Sequence, residues 1–133
     1  MTRWTSDEIA RIGAADELEL AALRRDGTLR NPVTIWVVRH GDDLYVRSAY
    51  GPDSAWFRGT QARHEGRIGA GGVEKDVTFV AAEHDIDDAI DAAYSNKYGR
   101  YGDRFIRQMT SPDVRATTLK LVPRSSSQSW RRQ

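Results

Sequence analysis

The hydrophobic pattern of this chain is clearest between Pro32 and Ser48. Pro32 to Val38 is rich in Val, Ile, Thr and Trp, side chains that fit a pleated surface. His40-Gly41-Asp42-Asp43 reads as a turn and Leu44 to Ser48 as a return strand, so the pair predicts a hairpin. Val33, Ile35 and Val37 fall on one face of the first strand, and Thr34, Trp36 and Val38 on the other. A strand apolar on both faces belongs inside a barrel or beneath a partner subunit.

Outside the hairpin the spacing alternates between helical and extended. Residues 4–14 predict a short helix: Thr5 is a candidate N-cap, Glu8 stands in capping-box register, and Trp4 precedes the cap. Glu17 to Leu23 alternates imperfectly; its Leu, Glu and Ala would suit a helix, but the Asp26-Gly27 turn signal favours a strand. Asp53 to His64 reads as a helix capped by Asp53 or Ser54. Arg67 to Ala70 and Asp76 to Ala82 read as strands about a Gly71-Gly72 turn. Ile86, Ala89, Ile90, Ala93, Tyr94 and Lys97 share one helical face. Residues 103–115 read as a loop with helical turns, and Thr117 to Val122 as the closing strand. Six short strands joined mainly by turns predict an α+β fold: a six-stranded antiparallel split β-barrel with short flanking helices.

Composition narrows this further. A chain of 133 residues with 39% hydrophobic and 29% charged residues fits one globular domain, here assigned to residues 1–124. Residues 125–133 read as a disordered, polar, basic tail. With 20 basic and 19 acidic side chains there is no global field to recruit nucleic acid or an acidic membrane. The absence of cysteine excludes disulfides, thiolate nucleophiles and Cys-based metal sites. His40, His64 and His84 have no ligand spacing, so no metal is expected. With no apolar signal segment at MTRWTSDEIA, the expected location is the cytoplasm.

The candidate chemistry lies in Leu44–Arg58, where a strand ends in a Gly/Pro/Asp loop that opens a helix. Loop amides and a helix N-terminus together suit an anionic group. Arg47 and Ser48 offer a guanidinium fork and a hydroxyl, and Tyr50 and Trp56 offer ring faces. A phosphorylated, ring-containing cofactor fits that mixture.

In order and spacing, DGTLRNPVTIWVV followed by HGDDLYVRSAYGPDSAWFRGTQA resembles the split β-barrel flavin-binding superfamily. That group includes pyridoxamine-phosphate-oxidase-like proteins and deazaflavin-dependent nitroreductases. IDAAYSNKYGR resembles the Lys-Tyr helix ending of the former, and TTLKLVPR the closing strand. The resemblance spans residues 17–124, and the whole chain also resembles an uncharacterised bacterial domain family of about this length. It implies FMN or a deazaflavin as cofactor, a small organic substrate, and a homodimer with the cofactor at its interface. The expected cofactor-binding residues are Arg30, Trp36, Arg47, Ser48, Tyr50, Gly51, Trp56, Arg58, Lys97 and Tyr98. Asp53 departs from the pattern: it either caps the helix and faces away, or no phosphate binds.

Each of these residues also has a structural role open to it. Arg47 could be an exposed strand residue and Arg30 a solvated one. Trp56 could be core, Trp36 an interface residue, and Arg58 a partner of Glu65 or Asp53. Lys97 could serve the helix dipole. No residue is marked as catalytic. Two further functions remain open: a cofactor-free barrel that binds or rearranges a hydrophobic molecule lined by Trp36, Tyr45, Tyr50 and Trp56, or a non-catalytic binding module.

Overall fold

A computed structural model of the chain describes residues 3–124, so the tail expected at 125–133 lies outside the described residues. The first helix, α1 (Ser6–Ala14), starts as its sequence specifies. The Thr5 side chain accepts from the Glu8 amide and the Glu8 carboxylate accepts from the Thr5 amide, closing the capping box. The indole of Trp4 donates to the carbonyl of Leu121, 3.0 Å away, tying this corner to the last strand.

Seven strands form one antiparallel sheet: β1 (Leu18–Ala22), β2 (Val33–Ile35), β3 (Val38–His40), β4 (Asp43–Val46), β5 (Glu65–Ala70), β6 (Val73–Ala81) and β7 (Leu119–Pro123). The order is β2-β1-β5-β6-β7-β4-β3. Its two edge strands, β2 and β3, are separated in sequence only by Trp36 and Val37. From Ile35 to Val38 is three residue steps, at most about 11 Å. The sheet therefore curls until its edges nearly meet, giving the barrel-like architecture.

This corrects the expected strand count. Pro32–Val38 is not one strand of a hairpin. Its first part pairs with β1, Leu18 opposite Ile35, and its second part with β4, Val38 opposite Tyr45. The hairpin survives only as Val38–His40 against Asp43–Val46, turned at Gly41 with φ of 62°. At the break, the Val37 amide donates to the Tyr98 hydroxyl (3.1 Å) and the Val37 carbonyl accepts from Lys97 Nζ (2.7 Å). Side chains thus replace the ladder partners that the break removes.

The face order of this segment holds. Val37 is buried inside the curl with Leu18, Leu20, Leu44, Val46, Phe79 and Leu121, and Val33 and Ile35 pack onto the same cluster. Val38 is buried on the outer side with Tyr45, Ile90, Tyr94 and Tyr98, and Trp36 packs there. That outer cluster is covered by α3 (Asp87–Tyr98), α4 (Asp103–Met109) and the single turn α5 (Pro112–Arg115). The helix α2 (Ala55–Ala62) covers the inner cluster through Phe57 and Trp56. β5 and β6 run longer than expected and turn at Gly71-Gly72. Gly66 permits a close crossing: a Cβ there would lie 2.3 Å from the Ala21 carbonyl.

Candidate functional site

A cavity of about 410 Å³ opens between the β2 edge, the loop after β4, and α4. Val33, Ile35 and Trp36 form one wall, Trp56 and Ser54 a second, and Phe105, Gln108 and Met109 a third. Its size lies within the range of small-molecule sites, roughly 300–1,000 Å³. The Trp36 ring is stacked on Tyr98, with centroids 4.0 Å apart and planes 3° apart. Phe105 meets the same indole edge-on at 6.3 Å. Gln108 holds the loop in place, donating to the Ala49 carbonyl at 2.7 Å. At the mouth Tyr50 is 86% exposed and Phe105 47% exposed.

Four of the expected residues, Trp36, Arg47, Tyr50 and Trp56, line this cavity, but Arg47 does not present its guanidinium as expected. Arg47 is 1% exposed, neither an exposed strand residue nor an open phosphate fork. Nε donates to Thr118 Oγ1 (2.8 Å), and Nη1 to Asp91 Oδ1 (2.6 Å) and the Met109 carbonyl (2.9 Å). Nη2 donates to the Asp87 carbonyl (3.3 Å). The guanidinium also lies 5.6 Å from the Tyr94 ring centroid. One side chain thereby joins the residue before β7, α3 and α4 to the end of β4, with four of its five donors hydrogen-bonded inside the protein.

Ser48 is likewise consumed. Its amide donates to Thr117 Oγ1, and its hydroxyl donates to the Gly51 carbonyl and meets Ser54 Oγ at 2.7 Å. Gly51, with φ of 86°, turns its amide onto the Ser48 carbonyl. The loop is closed on itself and offers no ready phosphate cradle. Ser54 occupies the cap position of α2 without a side-chain cap bond, and Asp53 is exposed. Arg58 and Arg30 are exposed and do not line the cavity; Arg30 lies over Gly59 and borders a separate groove with Glu19, Arg67 and Glu74. Glu65, considered as a partner for Arg58, is paired with Arg63 (3.2 Å) and Arg124 (2.8 Å).

The chain belongs to the DUF2255 family of uncharacterised proteins conserved in bacteria. The family's profile matches residues 8–121. Comparison with curated proteins finds no match. Among solved structures, this DUF2255 chain is similar to a putative pyridoxamine 5'-phosphate oxidase from Listeria innocua, at 17% identity and a TM-score of 0.62, covering 88% of this chain and 90% of that one. It is similar to an F420 reductase at 17% identity and a TM-score of 0.53, covering 87% and 90%. It is also similar to HutZ, a heme storage protein from Vibrio cholerae, at 13% identity and a TM-score of 0.62, covering 93% and 92%. At these identities the likeness is one of fold.

In this DUF2255 chain the Lys-Tyr ending of α3 faces the strand break and not the cavity. Lys97 Nζ donates to the Ala15 (2.6 Å) and Val37 (2.7 Å) carbonyls. The Tyr98 hydroxyl reaches the Asp16 carbonyl at 2.8 Å. Burial pushes the Tyr98 phenol up to about 12 and lowers the Lys97 amine to about 8. Tyr98 touches the site only through its stack beneath Trp36. Among the cavity residues missed from sequence are Phe105, Gln108 and Met109, because 103–115 reads as a loop with only short helical turns. The signal was their 0, +3, +4 spacing after Gly102 and Asp103, a helix start too short to stand out.

Among the described residues, no group of three or more His, Asp or Glu side chains is placed to hold a metal ion. The acidic start of α3 is spent on arginines: Asp91 on Arg47 and Arg115, and Asp88 on Arg115. No described helix is long and apolar enough to cross a membrane.

Proposed function

We propose that the cavity receives the ring system of a flavin-type cofactor, FMN or a deazaflavin, and that the protein is a homodimeric redox enzyme acting on a small organic substrate. The observation that carries this is Trp36: its indole is stacked on Tyr98 and lines a cavity that Trp56, Phe105 and Met109 also line. Aromatic faces set around an apolar slot favour a planar ring. The fold shared with a putative pyridoxamine 5'-phosphate oxidase and an F420 reductase supports the same reading. When bound, such a ring supplies the hydride or two-electron chemistry. The chain's part is to stack the ring, orient it through Gln108 and the Ala49 loop, and keep water away. The exposed aromatics at the mouth, Tyr50 and Phe105, are the surface a second copy would cover.

The residues fit the ring and not the phosphate. Arg47 and Ser48 have their donors engaged, so affinity is expected to come from the ring system. This same observation favours the second reading, a cofactor-free barrel that binds an apolar ring compound.

Titrating the protein with FMN, riboflavin and a deazaflavin, read by tryptophan fluorescence and flavin absorbance, tests the proposal. Binding of FMN and riboflavin within about threefold of each other, lost in Trp36→Ala, is the expected result. No binding of any of the three at high micromolar concentration removes the flavin reading and leaves the apolar-ligand one. A single-chain mass on gel filtration, with and without ligand, removes the dimer.

A further inference from the structure

Trp36 begins a file of rings that leads away from the aromatic cavity. Its indole lines the cavity and is stacked on Tyr98 at 4.0 Å and on Tyr101 at 5.7 Å, with planes 3° and 27° apart. Tyr98 and Tyr101 are stacked on each other at 6.2 Å. Tyr101, in the turn between α3 and α4, is 44% exposed, so the file runs from cavity wall to surface. These separations are those of rings in contact. Indole and phenol are the ring side chains that give up an electron most readily, and electron transfer weakens steeply with distance. Among the described residues, the rings beside the cavity's other tryptophan offer no such route: Trp56 meets Phe57, at 6.1 Å.

An oxidised phenol holds its hydroxyl proton weakly, so the proton acceptor decides where the oxidation comes to rest. The Tyr101 hydroxyl lies 3.3 Å from Asp16 Oδ2. The hydrogen bond from Arg100, at 2.6 Å, holds the Asp16 carboxyl below the usual carboxylate range, so it is ionised near neutrality. The Tyr98 hydroxyl donates only toward neutral carbonyls, those of Asp16 and Val37. Tyr94, 6.1 Å from Tyr98, has a buried hydroxyl with no hydrogen-bond partner among the described residues. Arg100 sits 4.7 Å over the Tyr101 ring, which makes a cationic ring costly and ties loss of the electron to loss of the proton.

We propose that Trp36 and Tyr101 form a radical relay that carries a one-electron oxidising equivalent from the cavity wall to the protein surface. The oxidant is a radical-type one-electron oxidant that reaches the cavity; it takes one electron from the Trp36 indole and is reduced. Tyr101 returns one electron to the indole, with the Tyr98 ring in contact with both. In the same step the Tyr101 O–H bond breaks, and its proton passes to Asp16 Oδ2. The oxidant has then gained one electron, Tyr101 has lost one electron and one proton, and Trp36 and Tyr98 are as they began. The exposed Asp16 side chain releases the proton to water. A soluble thiol restores the phenol at the surface by giving it a hydrogen atom. Oxidation is thereby cleared from the cavity wall, whichever ring the cavity holds.

The whole protein is oxidised near neutral pH by pulse-generated azide radical, which takes electrons from tryptophan in preference to protonated tyrosine. The expected result is a fast first-order phase, independent of protein concentration, in which indolyl absorption gives way to phenoxyl absorption. Trp36→Phe and Tyr101→Phe are each expected to remove it, and Asp16→Asn to slow it about tenfold or more. Under steady irradiation with a nitroso spin trap, peptide mass spectrometry is expected to find adducts on Tyr101 ahead of Tyr50, although Tyr50 is the more exposed. No such phase in the wild type, or an unchanged one in Trp36→Phe or Tyr101→Phe, overturns the relay. Adducts that follow exposure, with Tyr50 ahead, overturn Tyr101 as its end. An unchanged rate in Asp16→Asn overturns the proton acceptor. The adduct comparison is made within one wild-type sample, so it depends on no variant folding. Flavin is absent throughout, so the outcome is independent of flavin binding.

Discussion

Arg47 separates a structural arginine from a ligand-binding one. In Arg47→Ala, Met109 and Asp87 carbonyls and Thr118 Oγ1 lose a charged donor at a site that is 1% exposed. Asp91 keeps Arg115 as a partner, which limits the loss on that side. Removing one member of a buried, hydrogen-bonded charge network costs about 3–5 kcal/mol. A domain of this size holds about 5–15 kcal/mol in all. The midpoint of thermal unfolding should therefore fall by about 10–20 °C. Urea unfolding followed by circular dichroism measures the free energy, and an FMN titration well below the variant's melting temperature measures affinity in the same sample. The expected result is a large loss of stability with affinity per folded molecule unchanged within about threefold. Loss of less than about 1 kcal/mol together with a tenfold or greater loss of FMN affinity would refute the structural assignment and restore Arg47 as a phosphate ligand.

Other outcomes follow from the same geometry. Tyr98→Phe leaves the Val37 amide without its acceptor and should cost about 1–3 kcal/mol by urea unfolding, whereas a neutral outcome would mean the strand break is held by other groups. Gly66→Ala sets a Cβ 2.3 Å from the Ala21 carbonyl between paired strands and should destabilise by several kcal/mol, about 3 or more, or prevent soluble expression. Alkaline titration should show two regimes. Lys97 titrates lower in the folded protein, near 8, than its ordinary 10.5, so the unfolded chain binds more protons between those values and this residue's contribution to stability rises with pH there. Tyr98 titrates near 12 when folded against an ordinary 10, so its contribution is complete below pH 10 and is lost as pH rises through 12. Urea midpoints measured from pH 8 to 11 should thus decline only above pH 10, and Lys97→Met should remove the gain between 8 and 10. A decline that starts at pH 8 in the wild type would contradict the burial of Lys97.

Features set by short-range chemistry were legible in the chain. The Thr5–Glu8 capping box needs only four residues and forms as read. The Gly41 and Gly71-Gly72 turns follow from backbone conformations that other residues resist. The faces of Val33 to Val38 follow from the two-residue repeat of a strand, and that alternation survives even across the break. Tyr50 and Trp56 fall beside one cavity because a strand end, its loop and the next helix are near neighbours on any path the chain takes, and Trp36 lines the same cavity.

What the tertiary structure decided are the pairings between distant segments. Nothing local in PVTIWVV marks Trp36-Val37 as a break. The break is made by Lys97 and Tyr98, some 60 residues later, supplying the hydrogen bonds that a continuous ladder would have given. Phe105, Gln108 and Met109 became cavity wall only because α4 packs across the loop after β4. Leu44–Arg58 shows both sides. Its sequence located the strand end, the tight loop and the aromatic helix start. Whether Arg47 faces solvent, phosphate or protein depends on partners 40 to 71 positions away, at Asp87, Asp91, Met109 and Thr118. A guanidinium has the same donors in each setting, and only the packed fold determines which acceptors it meets.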